Sequence, residues 1–126
     1  MNFDFKINSV SDVKIFIGAD MNQATIQGNL ISYDTSEDTK LHAVDKGYSS
    51  VVSSIDLLDS ISANTWYHCQ IIYVSQEKCL FYIDNNYIGE IDSHRYNQEP
   101  CFWIKSLDGT DKKLYIAHLF CEYYQY

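Results

Sequence analysis

Basic residues are scarce in this 126-residue chain. Nine Lys and Arg stand against seventeen Asp and Glu, for a formal charge of −8, and Arg95 is the only arginine. Nucleic-acid binding takes most of its affinity from Lys and Arg that neutralise phosphates. With Lys112–Lys113 the only adjacent basic pair, the composition argues against a nucleic-acid partner and, for the same reason, against an anionic membrane surface. No run approaches the ~20 apolar residues of a membrane-spanning helix. The opening Met1-Asn2-Phe3-Asp4-Phe5-Lys6 has neither the basic nor the apolar region of a secretory signal. One proline and five glycines are too few for a collagen repeat or a low-complexity linker. Four cysteines, Cys69, Cys79, Cys101 and Cys121, contain no CxxC, so a structural zinc site is not expected. Each lies in an apolar or aromatic run (HCQIIY, KCLFYI, EPCFWI, LFCEYY), which predicts reduced core thiols. A Cys69–Cys79 disulfide would require the two to face each other across a hairpin.

Aromatic residues are plentiful: eleven Tyr, six Phe and two Trp make 15% of the chain. They fall in short alternating runs. Phe3, Phe5 and Ile7 alternate with Asp4 and Lys6, and Val13, Ile15 and Ile17 form a second run that Gly18 is expected to close, both at the period of a half-buried strand. Ile26–Tyr33 reads as a strand with a bulge at Gly28, and Lys40–Val44 and Ser49–Ser53 as shorter ones. The polar stretch Asp34–Lys40 reads as an exposed loop, and Ser53–Ala63 as either a strand or a short helical turn. Thr65–Val74, dense in aromatic and β-branched residues, has strong strand propensity. Ser75-Gln76-Glu77 makes a turn, and Lys78–Asp84 is the return strand. Asn85-Asn86 suits a two-residue hairpin turn because Asn tolerates φ > 0. Tyr87–Asp92, Pro100–Ser106 and Lys113–Tyr124 complete the series. The sum is nine to eleven strands at turn spacings of about 8–12 residues, the signature of an all-β sandwich or barrel in one domain spanning residues 1–126.

The segment Asn64–Asp92, NTWYHCQIIYVSQEKCLFYIDNNYIGEID, resembles the concanavalin A-like lectin/glucanase superfamily, especially its laminin-G-like members. The likeness rests on Trp66, His68, the strand Cys79–Ile83, Asp84, Asn85, Asn86 and Gly89. It extends through SLDGTDKKLYIAHLF to Phe120, about half the chain. The resemblance implies an antiparallel two-sheet jelly-roll sandwich. It implies little chemistry, since the superfamily includes lectins, glycosidases, adhesion domains and structural modules of phage particles. Read from the residues, Trp66 opens a central strand and fills the core, while Asp84–Asn86 closes a tight turn through side chain–backbone hydrogen bonds.

Glucanases of this superfamily carry Glu-x-Asp-x-Glu on one strand face, which suits glycoside hydrolysis. Here Glu90 and Asp92 stand in the first two places and His94 in the third, so no catalytic residues are assigned. His42, His68, His94 and His118 form no HxH or HExxH pattern. His68 and His118 are expected as packed strand histidines. Laminin-G-like relatives use loop carboxylates for calcium; Asp108, Asp111 and the 34–38 loop carry such groups and read as solvated acidic loops. Neither metal nor cofactor is assigned. The terminal Tyr123, Tyr124 and Tyr126 are candidate interface residues, because Tyr is enriched at contacts between proteins. The expected function is non-catalytic: a structural or attachment module on a phage virion, such as a head fibre or capsid decoration subunit. Its partners would be other protein subunits, in a homo-oligomer within a larger assembly, put together in the host cytoplasm. The alternative is a carbohydrate-binding module with Asn85, Asn86, Tyr87 and Trp103 around a glycan. A degenerate glycosidase resting on Glu90 and Asp92 is the third reading.

Overall fold

A computed structural model describes residues 1–22, 25–47, 50–74, 78–92 and 99–122. Ten strands follow one another: β1 Asn2–Ile7, β2 Val13–Asn22, β3 Thr25–Asp34, β4 Leu41–Lys46, β5 Val51–Leu58, β6 Tyr67–Tyr73, β7 Lys78–Ile83, β8 Asn86–Asp92, β9 Glu99–Ser106 and β10 Leu114–Phe120. They form two five-stranded sheets, in the orders β10-β1-β6-β7-β8 and β5-β4-β3-β2-β9. The neighbours whose register is described all pair antiparallel. Consecutive strands pass repeatedly from one sheet to the other, an interleaving consistent with a jelly roll.

Alternation explains the sandwich. Phe3, Phe5 and Ile7 of β1, Cys69 and Ile71 of β6, and Cys79, Phe81 and Ile83 of β7 are buried from one side. Val13, Ile15, Ile17, Ile31, Tyr33, Leu41 and Ala43 meet them from the other. Each large side chain so buried stabilises the fold by about 1.5–3 kcal/mol in transfer free energy, and β6 lies at the centre of its sheet. The buried Tyr33 hydroxyl donates to the Val10 carbonyl at 2.8 Å. A smaller cluster of Phe16, Leu30 and Val44, with Ile26 and Trp103 against it, covers the opposite face of the second sheet.

Several local expectations change. Gly18 does not end its strand: it pairs with Leu30 and with Cys101, and a Cβ on it would lie 2.4 Å from the Asn29 carbonyl oxygen. It is there for close backbone approach. The irregularity in β2–β3 falls at Asp20–Asn22, while Gly28 keeps its pairs with Asp20 and Lys46. The ambiguous segment Ser53–Ala63 is strand as far as Leu58, and it joins the expected Ser49–Ser53 strand in one element, β5 Val51–Leu58. The last strand stops at Phe120. The β7–β8 turn is centred on Asp84-Asn85, one residue earlier than expected, with φ of 49° and 67° and with Ile83 facing Asn86. Pro100 sits near the start of β9, a border strand, where a missing N–H is tolerated.

Candidate functional site

The outer face of the sheet β10-β1-β6-β7-β8 is built from the residues that alternate with the core. Strand register aligns them in rows across the sheet. One row joins Phe120, Asn2, Gln70, Tyr82 and Tyr87. A second joins Ala117, Asp4 and His68. In a third, Tyr115 faces Lys6, and the Lys6 ammonium lies 4.7 Å from the Trp66 ring centre and 4.9 Å from that of Tyr115.

Trp66 is therefore not in the core. It precedes β6 and is 47% exposed. The reason is parity: Cys69 and Ile71 face inward, so residues an odd number of positions away face outward. Tyr67 takes the inner place instead, stacked on Phe5 with ring centres 5.5 Å apart. The Tyr67 hydroxyl accepts from the Ser62 N–H at 2.7 Å.

At the centre of the face, one carboxylate holds two imidazoles. His68 Nδ1 lies 2.6 Å from Asp4 Oδ1, and His118 Nδ1 lies 2.7 Å from Asp4 Oδ2. A carboxylate can only accept, so both Nδ1 atoms donate. The hydrogen bonds from His118 and then His68 hold the Asp4 carboxyl below its ordinary range, outweighing the effect of burial. Both histidines lie on the outer face rather than packed in the strands, and neither contact was foreseen, because Asp4 and its partners are 64 and 114 residues apart. The available signal was the Phe3-Asp4-Phe5-Lys6 alternation, which sends Asp4 and Lys6 outward. His118 reaches Asp4 through a register shift in β10 and a φ of 51°. Alternation alone puts Ala117, the register partner of Asp4, in that place.

The β7–β8 turn hangs on the same strand. The His68 N–H donates to Asp84 Oδ1 at 3.0 Å, and the Asp84 N–H donates to the His68 carbonyl at 2.8 Å. The expected side chain–backbone closure of that turn is present, with Asn86 Nδ2 also donating to the Asp84 carbonyl at 3.4 Å. Asn85, Asn86 and Tyr87 are exposed around it, and Tyr87 packs edge-on against Tyr82 at 5.5 Å. Trp103 lies elsewhere: on β9 of the second sheet, its ring is 5.5 Å from Phe16. The four candidate glycan residues thus divide between two sheets. Tyr123, Tyr124 and Tyr126 lie outside the described residues, as does His94. Glu90 and Asp92 are exposed on β8, and Glu90 accepts from Lys78 Nζ at 3.0 Å.

The acidic loops hold their own cations. The Lys112 side chain, 6% exposed, donates to the Ser11 carbonyl at 2.9 Å and to Ser9 Oγ at 3.3 Å, and lies 3.4 Å from Asp108 Oδ2. It ties the β9–β10 loop to the β1–β2 loop in the manner of a bound ion. Asp34 is nearly buried rather than part of an open loop; it pairs with Lys14 at 3.1 Å and accepts from the Ser36 hydroxyl at 2.6 Å. His42 lies between Asp38 and Asp56, with Lys40 also on Asp56. Among the described residues, no three His, Cys, Asp or Glu side chains form a metal-holding group.

All four cysteines are outside any disulfide. Cys69 pairs with Ile83 and Cys79 with Tyr73, at opposite ends of the β6–β7 pair. Cys69 and Cys79 are core thiols, as expected, whereas Cys101 and Cys121 are partly exposed. Among the described residues, no helix is long and apolar enough to cross a membrane. Comparison of the chain with protein families, with curated proteins and with solved structures gave no match.

Proposed function

We propose that the chain is a non-catalytic attachment module that assembles with other protein subunits, as a head-fibre or decoration subunit on a virus particle does. The observation that supports this reading is the apolar border of the first sheet. Tyr115, Leu119 and Phe120 are half exposed along the border strand β10, and the half-exposed Trp66 shares the Lys6 ammonium with Tyr115 at one end of it. Aromatic anchors of this kind carry a large share of the binding energy at protein contacts. The resemblance of residues 64–120 to a superfamily that includes phage structural modules supplies the particle setting. The test is mass measurement of the full chain, alone and mixed with candidate capsid proteins. A homo-oligomer or a stable complex that Phe120→Ser with Leu119→Ser weakens is the expected result. A monomer with no affinity for capsid proteins overturns the reading.

A second reading, carbohydrate binding, is favoured by Trp66. Its exposed ring is braced by Lys6, on the same sheet face as the Asp4 carboxylate and the His68 imidazole. A flat aromatic surface beside fixed polar groups suits a sugar ring and its hydroxyls. A glycan array in which Trp66→Ala removes every signal supports it, and an array without signals eliminates it.

A further inference from the structure

We propose that β10 is a docking edge for a second copy of this chain, the two β10 strands pairing antiparallel about a two-fold axis at Tyr115. The inference rests on the assembly reading and deepens it, by naming the partner and the strand that meets it.

Three observations carry it. The first is charge. The two sheets are bordered by β10, β8, β5 and β9. An unpaired border invites another strand, and proteins blunt it with charged residues or proline. β8 has Glu90 and Asp92, β5 has Asp56, and β9 has Pro100 and Lys105. β5 and β8 also lie against each other: a Cβ on Gly89 would stand 2.9 Å from Ile55 Cδ1. β10, Leu114–Phe120, has no Asp, Glu, Lys, Arg or Pro, and β1 is its only strand neighbour among the described residues. Copies of a chain with charge −8 repel each other, so they meet best where neither presents charge. The second is backbone direction. The Lys113 carbonyl accepts from the Asn8 N–H at 3.1 Å. Alternation then turns the N–H and C=O groups of Tyr115 and Ala117 toward β1, while Leu114 and Ile116 present theirs to the open side. The third is the register shift. The ladder with β1 is regular from Leu114 to Ala117 and shifts before Phe120, where His118 takes a φ of 51°. The stretch that can accept another strand is therefore Leu114–Ala117.

Symmetry fixes the register. About a two-fold axis, whatever residue one strand sets against another is matched by the reciprocal contact. Pairing centred on Tyr115 keeps both open-side residues within the regular stretch: Leu114 faces the partner's Ile116, Ile116 faces the partner's Leu114, and each pair exchanges both backbone hydrogen bonds. Tyr115, 41% exposed, then faces the partner's Tyr115 on the outer face, an aromatic cross-strand pair. Leu114 and Ile116, partly buried against the core, are closed over on the inner face. Both copies use the same edge, so assembly stops at the dimer instead of growing into a fibre.

The test is amide hydrogen exchange of the full chain at low and high concentration, with sedimentation to follow its mass. A dimer is expected, with the Leu114 and Ile116 N–H groups protected at least about tenfold as it forms. In a Cys101→Ser/Cys121→Ser background, Tyr115→Cys should form an interchain disulfide under mild oxidation at least about tenfold faster than Leu119→Cys, because facing residues of such a pair lie about 4.5 Å apart at Cα, within disulfide reach. Ile116→Pro removes an N–H that only the partner uses and should weaken the dimer at least about tenfold; should that variant not fold, exchange and crosslinking decide alone. A monomer at every concentration overturns the proposal, as does a dimer in which Leu114 and Ile116 exchange unprotected. Either result leaves the assembly reading intact if the chain still binds capsid proteins. A dimer paired through β10 that binds no capsid protein upholds the proposal and removes only the particle setting.

Discussion

Replacing His118 with glycine separates backbone strain from side-chain contact in one measurement. The left-handed conformation costs an L-residue about 1–2 kcal/mol, and histidine belongs near the lower end because it visits that region more readily than most. Glycine removes that cost. The substitution also removes the hydrogen bond to Asp4, but the His118 side chain is 83% exposed, and contacts of such exposed pairs contribute about 0–1 kcal/mol. The added freedom of glycine in the unfolded chain offsets the relief by about 0.4–1 kcal/mol. The terms leave His118→Gly within about 1 kcal/mol of the wild type, whereas His118→Val, β-branched at positive φ, combines loss of the contact with greater strain. Urea denaturation should therefore rank glycine level with histidine and valine well below both. With slopes of about 1–3 kcal/mol per molar urea, valine should lower the midpoint by several tenths of a molar or more. A glycine variant as unstable as the valine variant, with unchanged slope, would refute the claim that backbone strain dominates this position.

Gly18→Ala should lose about 1–3 kcal/mol by overpacking, since its Cβ would lie 2.4 Å from the Asn29 carbonyl oxygen and 3.0 Å from Leu30 Cα; an unchanged denaturation midpoint would contradict this. Burial alone would raise the Asp34 carboxyl, but the Ser36 hydroxyl, Lys14 and the Ser36 N–H together hold it below 3.8. A lowered folded value means that its stabilising effect is complete above the unfolded value and is lost as pH falls through 3.8 toward the folded value. Asp34→Asn should be less stable than the wild type at neutral pH, and the gap should close in acid; a gap that widens in acid has the wrong sign. Burial pushes the Cys69 and Cys79 thiols far up, so a thiol reagent should label Cys101 and Cys121 first and reach the other two only on unfolding, as mass spectrometry of labelled peptides would reveal.

Much of the fold is legible along the chain because alternation is a local property. Phe3, Phe5 and Ile7, or Cys79, Phe81 and Ile83, declare an inner face within six residues, and the dense run after Trp66 marks the middle strand of a sheet. The Asp84-Asn85 turn is legible to within one residue because both of its residues accept positive φ. The candidate site is much less so. Trp66 reads as core by residue type, yet parity sends it outward and Lys6 from another strand braces its ring. Trp103 and Tyr87 read as neighbours, yet they belong to different sheets. Four histidines without a pattern in sequence hide a pair that shares one carboxylate.

The order of apolar and polar side chains, by itself, determined that this chain forms strands, where most of them turn, and which side of most strands is dry. These follow from the two-residue period of an extended backbone and from the φ preferences of a few turn residues, which neighbouring residues set between them. Only the tertiary structure decided which strands lie side by side, and so that Asp4 falls between His68 and His118, that Lys6 falls between two aromatic rings, and that Lys112 joins two distant loops. Register across non-consecutive strands is fixed by the fit of the whole core and by the register shift in β10, and no short stretch of the chain contains either.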